Sequence, residues 1–200
     1  MVYVGIDLGG TSIKAGLVDE QGKILCKATC PTLVERGARP VVDDMAKLSL
    51  EVIEKGGYTL DDVKAIGVGL PGIQDPRTGI VPFCTTLYWH EVPVIEWMQE
   101  TINKPIYIGN DATVAGLAES VAGVSAGIEN SVFLTLGTGV GGGIVLGGKV
   151  YSGTNGVGSE LGHMITVIDG ELCTCGNRGC WERYASATAL IRMGREAAEK

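Results

Sequence analysis

The sequence predicts an α/β protein with two similar lobes, each a mixed sheet flanked by helices. Apolar residues alternate with period two in some short segments and recur at helical spacing in others. In addition, a strand, a turn containing Gly and Thr, and a second strand occur twice, with Gly10 and Thr138 roughly 128 residues apart. This distance is too long for a solenoid repeat. It fits two lobes that each contribute one glycine loop to a shared cleft.

The first part of the chain predicts three strands in an antiparallel meander and then a helix. The strands are expected at residues 3–8, 13–17 and 23–28, where apolar residues alternate between turn signals. The helix is expected at residues 40–55, because apolar residues recur there at helical spacing between Pro40 and the pair Gly56-Gly57.

Strands and helices alternate through the rest of the chain. Further strands are expected at residues 63–70, 105–109, 131–136, 142–146 and 149–151, and helices at 93–102, 111–122 and from Ser186 onward. His90 falls in a predicted loop beside Trp89, and we assign no role to it. Because the last helix shows no capping signal before Lys200, we expect the second lobe to be truncated.

Composition excludes several classes of protein. The 200 residues carry 16 basic and 23 acidic side chains, a net charge of −7, which disfavours a nucleic-acid surface. No run of about 18 uncharged apolar residues is present, so no membrane span is expected. The first residues resemble a strand and not a signal peptide, so a cytoplasmic location is expected.

The first glycine loop has the residue types of an anion site. Residues 7–14 (DLGGTSIK) place the carboxylate of Asp7 before Gly9, Gly10 and Thr11, with Lys14 on the next strand. Consecutive backbone N–H groups in such a turn can bind phosphate, and Asp7 could hold Mg²⁺ through water. The segment is not a P-loop, because Gly-Lys-Ser/Thr is missing. A plain hairpin is the alternative.

The second glycine loop, residues 137–143 (GTGVGGG), contains five glycines in seven positions. Ordering so many glycines costs backbone entropy, which indicates either a bound ligand or very close packing. Two such loops would bind a polyphosphate better than one, so Gly137 and Thr138 are predicted phosphate contacts.

Asn110 and Asp111 stand where a predicted strand ends and a helix begins. Asp111 could simply cap the helix. Alternatively, it is a general base beside a cleft, with Asn110 offering a donor and an acceptor to a hydroxyl-rich ligand.

A Cys₃His set lies in the last third of the chain. Three cysteines, Cys173, Cys175 and Cys180, lie within eight positions, ten or more residues after His163. Three thiolates and one imidazole match a closed structural zinc site, although the spacing is not that of a zinc finger. Three unligated thiols on a surface loop are the alternative.

These four motifs, in this order, resemble those of the ROK family (repressors, open reading frames and sugar kinases), most closely its bacterial glucokinases. The resemblance covers about residues 4–182, and the zinc loop is its most specific part. It implies the actin-like ATPase (ribonuclease H-like) fold with ATP between two lobes. Residues 1–120 would form the N-terminal sugar kinase lobe, and residues 121–200 the first part of the C-terminal lobe.

The resemblance also implies roles for individual residues. Asp111 would deprotonate the 6-hydroxyl of glucose, which then attacks the γ-phosphate of Mg·ATP. The residues implied to contact the sugar are Gly72, Asn110, Glu160, His163 and Glu182. Those expected near the ATP phosphates and Mg²⁺ are Asp7, Gly9, Gly10, Thr11, Lys14, Gly137 and Thr138. His163, Cys173, Cys175 and Cys180 would bind a structural zinc ion, and a homodimer is expected at full length.

Other functions fit the same motifs. An N-acetylmannosamine or N-acetylglucosamine kinase, or a kinase using polyphosphate, is one alternative; Thr86, where many relatives carry Asn, leaves the sugar open. A sugar-sensing repressor would need a DNA-binding segment before the first strand, and none is expected here. A structural metal module is a third alternative. Because most of the adenine pocket of such kinases would lie outside these residues, we expect weak or no activity from them alone.

Overall fold

The computed structural model describes residues 1–199, and the chain folds as two compact units, Met1–Asp111 (unit 1) and Ala112–Lys200 (unit 2). The lobe boundary after residue 120 stays a prediction. The predicted truncation of the second lobe rests on the missing cap before Lys200, and Lys200 lies outside the described residues.

Unit 1 is built on a five-stranded mixed sheet. Its strands are β1 (Val2–Leu8), β2 (Ser12–Asp19), β3 (Ile24–Pro31), β4 (Val63–Leu70) and β8 (Ile106–Asn110). The order across the sheet is β3-β2-β1-β4-β8. β1, β2 and β3 pair antiparallel, which confirms the predicted meander, whereas β4 pairs parallel with both β1 and β8.

Helix α1 (Ala38–Lys55) buries its apolar stripe on this sheet. It begins two residues before Pro40, because proline is tolerated in the first turn, where its missing N–H has no helical partner. It ends at Gly56, as predicted, and the next residue, Gly57, has φ +78°. Its buried residues lie three and four positions apart: Val41, Val42, Met45, Ala46, Leu48, Ser49, Val52 and Ile53.

A second, three-stranded sheet was not predicted. Its strands are β5 (Ile73–Asp75), β6 (Ile80–Cys84) and β7 (Trp89–Pro93), in that order and antiparallel. The loop predicted around His90 is therefore wrong, since His90 lies on β7. Glu91, with φ +48°, interrupts the alternation of buried and exposed residues by which a strand is recognised. The helix predicted at residues 93–102 is shorter, α2 (Val94–Gln99).

Unit 2 contains a hairpin, short helices and long irregular segments. Its elements are α3 (Asp111–Ala122, which starts on the last residue of unit 1), β9 (Ser131–Leu136), β10 (Val140–Leu146), β11 (Lys149–Val150), α4 (Glu182–Ala185) and α5 (Ala187–Ala198). β10 pairs antiparallel with both β9 and β11. Within residues 1–199, none of the helices combines the length and apolar content needed to cross a bilayer.

The hydrophobic core belongs to unit 1. The large cluster of buried apolar side chains runs from Val2 to Ile108 and fills the space between the sheet and its helices. Among the described residues of unit 2, the buried apolar side chains are few: Ala112, Val140, Val145, Cys173, Cys180 and Ala189. Among the described residues, unit 1 therefore contains most of the buried apolar side chains.

The core of unit 1 can be tested on α1 with a matched pair of substitutions. Met45→Ala removes a side chain that is fully buried, and we expect it to lower the free energy of unfolding by about 2–5 kcal/mol. Leu50→Ala, at a position 37% exposed on the same helix, should cost clearly less. Urea denaturation of both variants measures the difference, and equal losses would contradict this packing.

Candidate functional site

The parallel strands of unit 1 end at one edge of the sheet. β1, β4 and β8 run in the same direction, so their carboxyl ends lie side by side. Gly9 follows the end of β1, Gly72 lies two residues after the end of β4, and Asn110 ends β8. The fold therefore brings two of the four motifs, the first glycine loop and the Asn110-Asp111 pair, to one edge together with Gly72.

Thr32 holds the first glycine loop through two hydrogen bonds. The Thr32 hydroxyl donates to the carbonyl oxygen of Gly9 at 2.7 Å, and its backbone N–H donates to the carbonyl oxygen of Thr11 at 3.1 Å. Thr32 is fully buried, so these bonds are shielded from water. A Cβ on Gly10 would lie 2.8 Å from a methyl carbon of Thr86, so a side chain there would require Thr86 to move. Thr32 was missed because it is distant in sequence from the loop that it holds.

Asp7 and Lys14 face one another across β1 and β2. They are paired in the strand register, and the Lys14 ammonium lies 3.1 Å from Asp7 Oδ2. Both side chains are more than half exposed, and an exposed ion pair contributes little to stability. Breaking this ion pair therefore costs little free energy. Asp7 can then bind a metal ion, and Lys14 can pair with a phosphate.

Gly72 adopts a conformation reserved for glycine. Its φ is +90°, and a Cβ there would lie 2.6 Å from the carbonyl oxygen of Phe83 and 2.7 Å from Cβ of Cys84. Burial raises the pKa of Cys84, and the charge of Asp111 raises it further. Cys84 thus packs on Gly72, and the charge of Asp111 acts on its thiol.

Asp111 is the first residue of α3, directly after Asn110 at the end of β8. Asn110 is also the parallel partner of Leu70, the last residue of β4. The backbone direction at this junction is therefore set by the sheet before the chain enters the helix.

The second glycine loop divides into a turn and a packing surface. Gly137, Thr138 and Gly139 form the turn between β9 and β10, and the Thr138 side chain is exposed. A Cβ on Gly141 would lie 2.7 Å from Cβ of Ala112, and one on Gly143 would lie 3.0 Å from the carbonyl oxygen of Ala112. Close packing on α3 thus explains Gly141 and Gly143, whereas the turn itself is the part open to a ligand.

Four side chains of unit 2 form a candidate metal centre. The ligand atoms of His163, Cys173, Cys175 and Cys180 all lie within 4.8 Å of one another. His163 Nδ1 lies 3.7 Å from Cys173 Sγ, and the sulfur atoms of Cys175 and Cys180 are 3.6 Å apart. Metal–ligand bonds of about 2.0–2.3 Å at tetrahedral angles separate ligand atoms by roughly 3.3–3.8 Å. Both distances fit one tetrahedral zinc ion.

The thiols of this cluster differ in their electrostatics. Burial raises the pKa of Cys173 to about 12 and also raises the pKa of Cys180. At Cys175, burial acts in the same direction, but hydrogen bonds from the backbone of Asn177 and from the neighbouring thiols lower the pKa overall. A cation would favour the thiolate at every position. Three sulfurs and an imidazole are the donor set that zinc prefers.

Two carboxylates flank the imidazole of His163. Glu160 Oε2 lies 3.9 Å from Nε2, and Glu182 Oε1 lies 3.9 Å from Nδ1. Glu182 Oε1 also accepts a hydrogen bond from Cys173 Sγ at 3.1 Å. A Cβ on Gly139 would lie 2.5 Å from Glu182 Oε2, so that glycine gives the carboxylate its space. The predicted sugar contacts and metal ligands of unit 2 thus form one group around His163.

Comparisons with known proteins agree with these motifs. The chain matches the ROK family over residues 3–200. It is 42% identical to a glucokinase of Thermotoga maritima over 98% of this chain and 61% of that protein. An N-acetylmannosamine kinase of Vibrio cholerae is 36% identical over 95% of this chain and 63% of its own length.

Among solved structures, a ROK family glucokinase from Streptomyces griseus in complex with glucose and AMPPNP superposes with a TM-score of 0.86 at 37% identity. The superposition covers 100% of this chain and 62% of that one. The chain therefore spans about three fifths of the length of these relatives. The neighbours have the actin-like ATPase fold, which confirms the predicted fold class. On the match to the family over residues 3–200, this chain belongs to the ROK family.

Proposed function

We propose that the chain is the sugar-binding and phosphate-binding part of an ATP-dependent kinase that phosphorylates the 6-hydroxyl of glucose. The observation that carries the proposal is the placement of Asp111 at the sheet edge where the first glycine loop and Gly72 also lie. Similarity to glucokinases at up to 42% identity supports the choice of glucose. The AMPPNP bound to the Streptomyces griseus protein favours ATP over polyphosphate as donor. A cytoplasmic homodimer at full length stays a prediction.

In the proposed reaction, Asp111 accepts the proton of the sugar 6-hydroxyl as that oxygen attacks the γ-phosphate. Phosphoryl transfer needs little covalent help from a protein, so alignment and charge neutralisation account for most of the rate. Asn110 would hold a neighbouring sugar hydroxyl through its amide. The turns at Gly9-Gly10-Thr11 and Gly137-Thr138 would hold phosphates through backbone N–H groups. Asp7 would bind Mg²⁺ through water, and Lys14 would then pair with a phosphate.

Gly72, Glu160, His163 and Glu182 would complete the sugar contacts. Carboxylates accept hydrogen bonds from sugar hydroxyls, and an imidazole N–H donates one. A zinc ion at His163, Cys173, Cys175 and Cys180 would supply no reaction chemistry. It would order the segment between Glu160 and Glu182 in a unit with few buried apolar side chains.

The role of Asp111 is tested by Asp111→Asn. The substitution preserves the shape of the side chain but removes the base, so we expect turnover to fall by about 10²–10⁴-fold. Glucose affinity, measured by calorimetry, should change little. Asp61→Asn, at an exposed position before β4, is the control and should turn over normally. Both variants are assayed at the full natural length of the protein, and normal turnover by Asp111→Asn would mean that another group is the base.

The metal centre is tested by Cys175→Ser. We expect this variant to lose the zinc ion and to bind glucose more weakly, because the segment carrying Glu160 and Glu182 loses its order. Cys26→Ser, at a half-buried cysteine outside the cluster, should retain one zinc per chain. Native mass spectrometry counts the metal. One zinc per chain in Cys175→Ser would show that the ligands are assigned wrongly.

The choice of sugar is tested by comparing the rates with three sugars. The relative from Vibrio cholerae makes N-acetylmannosamine the second candidate substrate. ATP consumption by the full-length protein is compared for glucose, N-acetylmannosamine and N-acetylglucosamine, and we expect glucose to give the highest kcat/KM. A higher value for either acetamido sugar would replace glucose by that sugar. Sugar binding without any ATP consumption would instead favour a sugar-sensing regulator.

A further inference from the structure

The side chain of Gln74 makes an unusual set of contacts at the sheet edge. Its amide nitrogen lies 3.0 Å from the carbonyl oxygen of Leu70 and 2.7 Å from that of Gly72. The carbonyl oxygen of the intervening residue, Pro71, lies 3.2 Å from the same nitrogen. Three successive carbonyl groups therefore converge on one side chain, and the backbone curves around it.

The position requires a hydrogen-bond donor, and the amide NH₂ of Gln74 provides it. All three partners are acceptors, so the nitrogen and not the oxygen of the Gln74 amide must face them. The nitrogen carries two hydrogens for three carbonyls, and one hydrogen is therefore shared. Pro71 has no backbone N–H, and Gly72 has unusual conformational freedom, so this turn has little means of fixing its own path. The hydrogen bonds from the Gln74 side chain fix the path of this turn.

The clamped turn adjoins the proposed catalytic junction. Leu70, whose carbonyl is the first of the three, is the parallel partner of Asn110. Asp111 is the next residue along the chain. Gly72 packs against Cys84, whose raised pKa reflects the charge of Asp111 as well as its own burial. A shift of the turn at residues 71–72 would therefore occur where Asn110 and Asp111 leave the sheet.

We infer that Gln74 is a positioning residue: its side-chain amide holds the turn at residues 71–72 in the conformation that contacts the sugar, without touching the sugar itself. This inference rests on the proposed function. Gln74 lies outside the glycine loops, the Asn110-Asp111 pair and the metal cluster. Its specific effect is on sugar binding. The effect is separate from proton transfer by Asp111 and from phosphate binding at the glycine loops.

The test uses two substitutions and a matched control. Gln74→Leu keeps the size of the side chain and removes the donors, and Gln74→Glu keeps the shape but presents carboxylate oxygens to three carbonyls. Gln99→Leu is the control, since the Gln99 amide also donates to a backbone carbonyl, that of Lys104 at 3.4 Å, but at the end of α2. All variants are made in the full-length protein.

Two measurements are needed. Hydrogen exchange followed by mass spectrometry reports the order of residues 70–75 without any substrate. Steady-state kinetics gives KM for glucose, KM for ATP and kcat. For both Gln74 variants we expect faster exchange in this segment and a KM for glucose raised roughly tenfold, with kcat and KM for ATP within about twofold of wild type. The control should match wild type in every measurement.

Several results would overturn the inference. Unchanged exchange would show that the amide does not hold the turn. Faster exchange with an unchanged KM for glucose would show that the turn does not position the sugar. A lower kcat with both KM values unchanged would show that the substitution only reduces the amount of folded protein, which is a purely structural role. Failure of the proposed function looks different: wild type itself would neither bind nor phosphorylate a sugar, while the exchange difference remained.

Discussion

Parallel pairing of β1 with β4 and of β4 with β8 is the constraint on which the rest of unit 1 depends. Parallel strands leave a sheet at the same edge, and here the chain leaves three times, at Gly9, at Pro71 and at Asp111. Backbone groups at such exits lose their partners in the sheet and must find others. Thr32 supplies them at the first exit, Gln74 supplies them at the second, and α3 begins at the third. The side chains that hold this edge, Thr32 and Gln74, thus lie outside the motifs recognised in the sequence.

The two units reach an ordered state by different means. Unit 1 buries a continuous apolar core between its sheet and helices, which accounts for the order of its loops. Unit 2 has few buried apolar side chains among its described residues, and three of its glycines serve close backbone packing of β10. A tetrahedral metal ion contributes on the order of 10 kcal/mol in small structural sites. A metal ion held by the Cys₃His cluster would add to the order of the described residues of unit 2.

Strong local patterns predicted the fold well. The strands β1, β4 and β9 and the helices α1 and α3 were found because alternation, helical spacing and the glycine and proline signals agreed. β5, β6 and β7 were missed because they are short and because Glu91 breaks the alternation of β7. The Cys₃His cluster was predicted from residue type and from the close spacing of its cysteines, and its ligand atoms do converge. Thr32 and Gln74 could not have been found in this way, because each acts through contacts that only the folded chain creates.

The two nitrogens of His163 give a zinc ion at this cluster a role in the proposed kinase, although phosphoryl transfer itself needs no zinc. Nδ1 faces the cysteine cluster and Nε2 faces Glu160. A ligand nitrogen must be unprotonated, so a metal at Nδ1 leaves the proton on Nε2 and fixes the ring as a donor in one orientation. An imidazole without a metal can change tautomer and rotate, and it would then present an acceptor to a sugar hydroxyl as easily as a donor. In this scheme the metal contributes to specificity, because it determines which hydrogen bond His163 can make.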